Sequence, residues 1–176
     1  MPLKISYHEM DSPLGTLLLA GCDQGLAGIE FGINDPTGAY GRLADSLSKR
    51  FGKGVQLEPE ITCLRPAIDW LGKYFENSAS CEIFSGSIYL GGTRFQQAVW
   101  KQMLKIPAGA TMSYGQVAAA IGSPAAMRAV GGACGANPVP VVVPCHRVTA
   151  SGGIGGFGPG VNLKRQMLAA EGVEFI

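Results

Sequence analysis

Short apolar runs separated by turn residues fill the first ~35 positions: Leu3 to Tyr7, Thr16 to Ala20 and Leu26 to Phe31, parted by Ser12-Pro13, Gly15 and Asp23-Gln24-Gly25. Runs of that length between turn formers predict a β-meander. The period then changes. Leu43, Leu47 and Phe51 fall on one helical stripe within 39–51, and Ile68, Leu71 and Phe75 on another within 65–75. The front of the chain therefore reads as a small strand-and-helix unit, and Gly91-Gly92 separates it from the C-terminal half. We expect an α+β protein with an N-terminal domain over 1–90 and a mainly helical domain over 91–176.

The second half carries sharper signals. Phe95, Val99 and Met103, with Trp100 and Leu104 beside them, give a helix with one broad apolar face, ending near Pro107-Ala108-Gly109. Ser113-Tyr114-Gly115-Gln116 has the Ser-x-x-Gln form of a capping box, so a helix should begin at Tyr114 and run to Ile121 before Gly122. Ser123-Pro124 offers another N-cap with proline at the first helical position, predicting a helix through Ala125 to Val130. Two short helices across a glycine turn form a helix-turn-helix pattern. A last helix is expected over 163–171.

Charge separates the halves. Residues 1–91 hold seven Lys/Arg against eleven Asp/Glu, whereas 92–176 hold seven against only Glu171 and Glu174. A basic half beside an acidic one suits a single phosphate-facing surface, although two ordinary halves could also differ this much by chance. Between Lys105 and Arg147 the only formal charge is Arg128, set among Ala and Gly. Small neighbours let a helix approach a nucleic acid closely while one long cation reaches further; the same composition would also serve tight helix packing with Arg128 snorkelling to water. No apolar run approaches the ~20 residues of a membrane span, and the N-terminus lacks a secretory pattern, so a cytoplasmic protein is expected. The five cysteines are scattered and form no Cys-x-x-Cys pair, which argues for free thiols rather than a disulfide framework or zinc knuckle.

The stretch from Asn137 to Val148 concentrates the chemistry. Its three prolines cannot occupy a helix interior, and Val141 to Val143 predicts a short buried extended segment that delivers Cys145 rigidly. Cysteine reacts as the thiolate, and adjacent His146 is placed to take its proton. Sequence neighbours diverge in direction, so a tight turn or bridging water would be needed. Glu171 is a candidate third member that would orient the imidazole.

Pro144-Cys145-His146-Arg147-Val148 resembles the active-site signature of the O6-alkylguanine-DNA alkyltransferases. Phe95-Gln96-x-x-Val99-Trp100, Ser113-Tyr114-Gly115, Arg128-Ala129-Val130-Gly131, Asn137-Pro138 and Lys164 to Glu171 fall in that family's order. The resemblance covers ~92–171 and implies a ribonuclease H-like N-terminal domain ahead of a catalytic, DNA-binding one. It implies stoichiometric transfer of a methyl or larger alkyl group from O6-alkylguanine, with O4-alkylthymine a second candidate lesion, onto Cys145, inactivating the protein. His146 would be a water-mediated base, Glu171 its support, Tyr114 the donor to the departing guanine and Asn137 the brace of the active loop. Arg128 would fill the stack left by the flipped base, with Ala126, Ala129, Gly131, Ser113 and Tyr114 against the minor groove of double-stranded DNA in any sequence context. Cys134, Val148, Phe157, Gly158 and Pro159 would line the substrate pocket. Phe157 lacks the hydroxyl common at its position, and Pro159 stands where a glycine is usual, which bears on alkyl-group size. Some members hold zinc in the N-terminal domain, but His8, Cys22, Cys63 and Cys81 have unrelated spacing, so no metal or cofactor is expected. A monomer is expected. Two rivals remain open here: a thiol hydrolase using Cys145 and His146, and a lesion-binding module that performs no transfer.

Overall fold

The structure is a computed structural model describing residues 3–33, 35–52 and 54–175. Three antiparallel-linked strands, β1 (Lys4–Met10), β2 (Leu17–Cys22) and β3 (Gly25–Phe31), form the expected meander. A fourth, β4 (Gln56–Pro59), pairs parallel with β1, giving the order β3-β2-β1-β4. The sequence did not announce this strand, because only Leu57 in Gln56–Pro59 is apolar apart from the closing proline and the alternation is too short to register.

Helix α1 (Pro36–Phe51) lies on the sheet, its N-terminus capped by Asp35, which accepts from the Gly38 N–H at 2.8 Å. Ala39, Leu43 and Leu47 pack with Ile5, Leu18, Ala20 and Ala27 as one core. The approach is close. A Cβ at Gly28 would stand 2.7 Å from Leu43 Cδ1, so the helix seats at this depth only because the strand has glycine there. Helix α2 (Arg65–Glu76) buries Ala67, Leu71 and Tyr74.

The chain forms two compact units, one of Met1–Phe75 with Phe84–Gly92, the other of Glu76–Ile83 with Thr93–Ile176. In the first, the returning segment bridges β3, with the Leu26 N–H donating to the Ser87 carbonyl (3.0 Å) and the Tyr89 N–H to the Leu26 carbonyl (2.8 Å).

In the second unit, α3 (Arg94–Met103) opens with a complete capping box between Thr93 and Gln96. The strand pair β5 (Met112–Ser113) and β6 (Val148–Thr149) is parallel, with Met112 opposite Val148 and Ser113 opposite Thr149. Helix α4 (Tyr114–Ala120) starts from Ser113 with the capping box read from the sequence, the Ser113 Oγ accepting from the Gln116 N–H at 3.1 Å and Gln116 accepting from the Ser113 N–H at 2.7 Å. Helices α5 (Met127–Gly135) and α6 (Val161–Ala170) complete it. Trp100 is buried and donates its Nε1–H to the Ala133 carbonyl at 2.8 Å, pinning α3 to α5.

Two sequence expectations are corrected. Ser123-Pro124 opens a turn, closed by the Ala126 N–H on the Ser123 carbonyl (2.9 Å), and α5 begins only at Met127. It then runs on through Gly131 and Gly132 because Val130 and Ala133 are buried, so packing outweighs glycine's poor helix propensity. Val141 to Val143 is not extended. The Val143 N–H reaches the Val139 carbonyl at 2.9 Å and Val141 sits at φ +74°, a conformation β-branched residues rarely adopt. Among the described residues no helix is long and apolar enough to cross a membrane.

Candidate active site

The strain at Val141 is imposed by Asn137. Its side-chain oxygen accepts from the Val139 N–H (3.1 Å) and its amide donates to the Val143 carbonyl (2.7 Å), folding the valine run back on itself. The chain then enters a single 3-10 turn, Cys145–Arg147, with the Cys145 N–H on the Val143 carbonyl at 2.8 Å and the Arg147 N–H on the Pro144 carbonyl at 2.9 Å. Cys145 ends 7% exposed.

The turn points the next two side chains at one carboxylate. His146 Nε2 lies 2.8 Å from Glu171 Oε1, and Arg147 donates Nε–H to Oε2 (2.8 Å) and Nη2–H to Oε1 (2.9 Å), with Nη1 reaching the Ile106 carbonyl at 2.6 Å. All three side chains are buried, and Glu171 caps the C-terminal end of α6, where the helix dipole alone would disfavour a negative charge. Burial raises the Glu171 carboxyl, but the bonds from His146 and Arg147 outweigh it and hold its pKa at about 2. An ionised carboxylate only accepts, so the Nε2 facing it carries the proton. Burial lowers the His146 pKa against the opposing pull of Glu171, so the ring is neutral at pH 7. Its Nδ1 is then an unprotonated acceptor, buried and without a protein hydrogen-bond partner.

Around the sulfur, burial pushes the Cys145 thiol up, while a hydrogen bond from the Asn137 side chain and the charge of Lys164 oppose it. Lys164 is fully buried on α6 and donates to the Val148 carbonyl (2.6 Å) and the Gly156 carbonyl (3.1 Å). Burial lowers its own pKa, partly restored by Cys145 and Cys134. The Cys134 thiol is pushed up to about 12 by burial and by Cys145, and donates to Met103 Sδ at 3.5 Å. Tyr114 is half-buried and its phenol is raised by burial and by Cys134, opposed by the Gly156 backbone; its hydroxyl also makes a long bond (3.5 Å) to the Gly156 carbonyl. The β5–β6 pairing explains why Tyr114 is here at all, since it sets the first turn of α4 beside the strand that leaves the Cys145 turn.

Of the residues singled out from the sequence, His146 and Glu171 are bonded to each other, Asn137 acts on the Cys145 thiol, and Tyr114, Cys134 and Val148 adjoin through electrostatics or through Lys164. Phe157, Gly158 and Pro159 form the turn into α6, closed by the Gly160 N–H on the Phe157 carbonyl (2.9 Å); Phe157 is half-buried, and Gly158 and Pro159 are exposed. Gly156 joins this turn to the site by accepting from both Tyr114 and Lys164. Arg128 and Ala129 are exposed on α5, Ala126 is its N-cap, and Gly131 faces the Tyr114 ring, 3.9 Å from where its Cβ would be. Arg147 and Lys164 lie in the motifs quoted from the sequence, but no role was read for either. The signal was available, because 92–176 has only two acids, and a buried acid that orients histidine also needs a cation.

A neutral imidazole with one free lone pair, fixed by an arginine-held carboxylate, on the residue after a buried thiol is an arrangement that can serve a cysteine nucleophile. The comparisons with known proteins make the class specific. A family model described as 6-O-methylguanine DNA methyltransferase, DNA binding domain, matches residues 94–173, and one for the ribonuclease-like domain of the same proteins matches 5–82. The methylated-DNA–protein-cysteine methyltransferase of Mycobacterium bovis is 40% identical over 168 residues, covering 95% of this chain and 92% of that protein. That of Rattus norvegicus is 37% identical over 179 residues, covering 97% and 83%. The crystal structure of Mycobacterium tuberculosis O6-methylguanine methyltransferase superposes with a TM-score of 0.75 at 37% identity, covering 95% of this chain and 92% of that one. Mycobacterium tuberculosis OGT in complex with DNA gives 0.73 at 34%, covering 98% and 96%. The chain belongs to the 6-O-methylguanine DNA methyltransferase family, and the α+β class expected from its sequence holds.

Proposed function

We propose that this protein repairs DNA by direct reversal, moving an alkyl group from O6 of guanine in a duplex onto Cys145. The sulfur attacks the alkyl carbon, forming S–C as C–O6 breaks, and the thiol proton passes through a water to His146 Nδ1. Guanine leaves as an anion, and Tyr114 donates a hydrogen bond to it as charge develops. The thioether has no leaving route, so each molecule acts once. Asn137 and Lys164 stabilise the thiolate that burial disfavours, which lets a sulfur kept from solvent still react. The observation carrying this reading is the buried His146–Glu171 contact at 2.8 Å, which leaves Nδ1 of the residue following Cys145 as an acceptor without a protein partner.

The O6 group lies inside the base stack, so the nucleotide must rotate out, and a lesion that spoils pairing lowers that cost. Helices α4 and α5 enter the minor groove, where readout is degenerate and sequence-independent action is natural. Arg128 occupies the vacated stack space. We assign 91–176 to this work, performed by a monomer in the compartment that holds the DNA.

The test is to mix the protein with a duplex carrying O6-methylguanine, digest it with trypsin and weigh the peptide from Ala129 to Arg147. Transfer adds one CH2, which fragmentation places on Cys145 rather than Cys134. Tight lesion binding with no mass change refutes transfer and favours a recognition module.

A further inference from the structure

The outer end of α5 carries a side chain for which alkyl transfer and base flipping have given no role. Met127 opens the helix and is 53% exposed, more than any other large apolar side chain among the described residues. Met103 and Met167 of the same unit are buried, so the fold does have places for methionine hydrocarbon. Its position is fixed from below. Met127 Sδ lies over Gly115 of α4, where an added Cβ would stand only 3.2 Å away, and one turn further along α5 Gly131 faces the Tyr114 ring. This face of α5 thus rests on the first turn of α4, with Met127 at the exposed end and half-buried Tyr114 at the other.

Arg128 is the next residue and is also exposed. Around the pair, Ala125, Ala129, Gly132 and Gly135 are exposed, and nothing stands within 4 Å of where Cβ atoms would be at Gly132 and Gly135. One thioether and one guanidinium therefore rise from a floor of small residues. Adjacent helical residues diverge by about 100°, so Met127 cannot share the stack position assigned to Arg128 and must meet a neighbouring part of the same partner. A surface with hydrocarbon next to anionic charge suits both. The minor groove supplies it, with deoxyribose faces and base edges between two phosphate rows, and α5 lies within the segment matched by the DNA-binding family model.

We propose that Met127 is an apolar wedge that packs on the deoxyribose and base edge beside the extruded nucleotide, holding the gap open while Arg128 fills it. The inference rests on the proposed duplex-repair function. An unbranched, polarisable thioether adapts to any base edge without requiring a donor or acceptor, which is compatible with action in every sequence context. Apolar wedges in the minor groove are a general means of unstacking a step.

The experiment compares wild type, Met127→Gln and Met127→Leu on a duplex containing O6-methylguanine and on an O6-alkylguanine free base. Gln keeps the length and exposure but removes the apolar end. The ratio of duplex to free-base rate should fall about tenfold in Met127→Gln, equivalent to about 1.4 kcal/mol. Met127→Leu should keep most of the wild-type ratio. Because the contact is not ionic, the salt dependence of duplex binding should have the wild-type slope in both variants. An unchanged ratio in Met127→Gln, equal losses on both substrates, or a leucine variant as impaired as the glutamine one would overturn the wedge. A wild-type protein that reacts with the free base but clears no duplex lesion would overturn the repair reading and the wedge with it, and is distinguished by wild type itself failing.

Discussion

Glu171→Gln tests the cluster at its most connected atom pair. The carboxylate accepts from His146 Nε2 and from two nitrogens of Arg147 while only 2% exposed. A neutral amide can accept at one oxygen but presents an N–H₂ to the other donor, leaving the Arg147 charge buried without its counter-ion. Breaking one side of a buried pair costs about 3–5 kcal/mol. An independent route gives a similar figure. The Glu171 pKa falls from an ordinary 4.5 to about 2, a change worth about 3 kcal/mol of folding stability. Its folded pKa is depressed, so this stability is fully present above pH 4.5 and is lost as pH falls toward 2. His146 adds to the acid loss, because its folded pKa is also depressed and below about pH 6.5 the unfolded chain takes up a proton the folded one refuses. At about two to four degrees per kcal/mol for a chain of this size, Glu171→Gln should melt about 6–20 °C below wild type at pH 7. Its decline in stability between pH 4.5 and 2 should be shallower than wild type's. Calorimetry across that pH range reads both effects. A variant that melts with wild type at pH 7 and keeps the full acid dependence would show that the Glu171–Arg147–His146 cluster does not hold the site.

The neighbouring contacts give further expected outcomes. Lys164→Met removes the buried cation acting on Cys145, so the pH profile of Cys145 alkylation by iodoacetamide should move to higher pH; a shift to lower pH would exclude Lys164 as a thiolate stabiliser. It also unpairs the Val148 and Gly156 carbonyls, costing about 1–3 kcal/mol for each that stays buried, read by denaturant unfolding. Arg128→Ala should depress repair in duplex relative to reaction with the free base by about ten- to hundredfold, since flipping costs a few kcal/mol that the inserted side chain offsets. Equal losses on both substrates would count against insertion. Alkylated protein should melt below the unreacted form, because added carbon at a 7% exposed sulfur overpacks its surroundings by about 1–3 kcal/mol; a level or higher melting temperature contradicts this.

Local chemistry made the helix-turn-helix start and the meander legible in advance. The Ser113-x-x-Gln116 capping box located α4 because both of its bonds form within four residues. The meander and α1 came from apolar period alone. Other features depended on distant partners. Ser123-Pro124 has the composition of a helix start, yet it forms a turn closed by Ala126, and the burial of Val130 and Ala133 carries α5 past two glycines. The valine run has strand propensity, yet Asn137 binds the backbone at Val139 before it and at Val143 at its end, and bends it.

By itself the sequence singled out the candidate groups: a thiol beside an imidazole on a proline-stiffened segment, a lone arginine among small residues, and one candidate acid far along the chain. Only the tertiary structure decided that Glu171 also binds Arg147, that Lys164 is buried near the sulfur, and that Nδ1 is the nitrogen left free. The physical reason is that ionisation and tautomer depend on burial and on partners brought together across the fold. His146 and Glu171 are 25 residues apart in the chain and 2.8 Å apart in space.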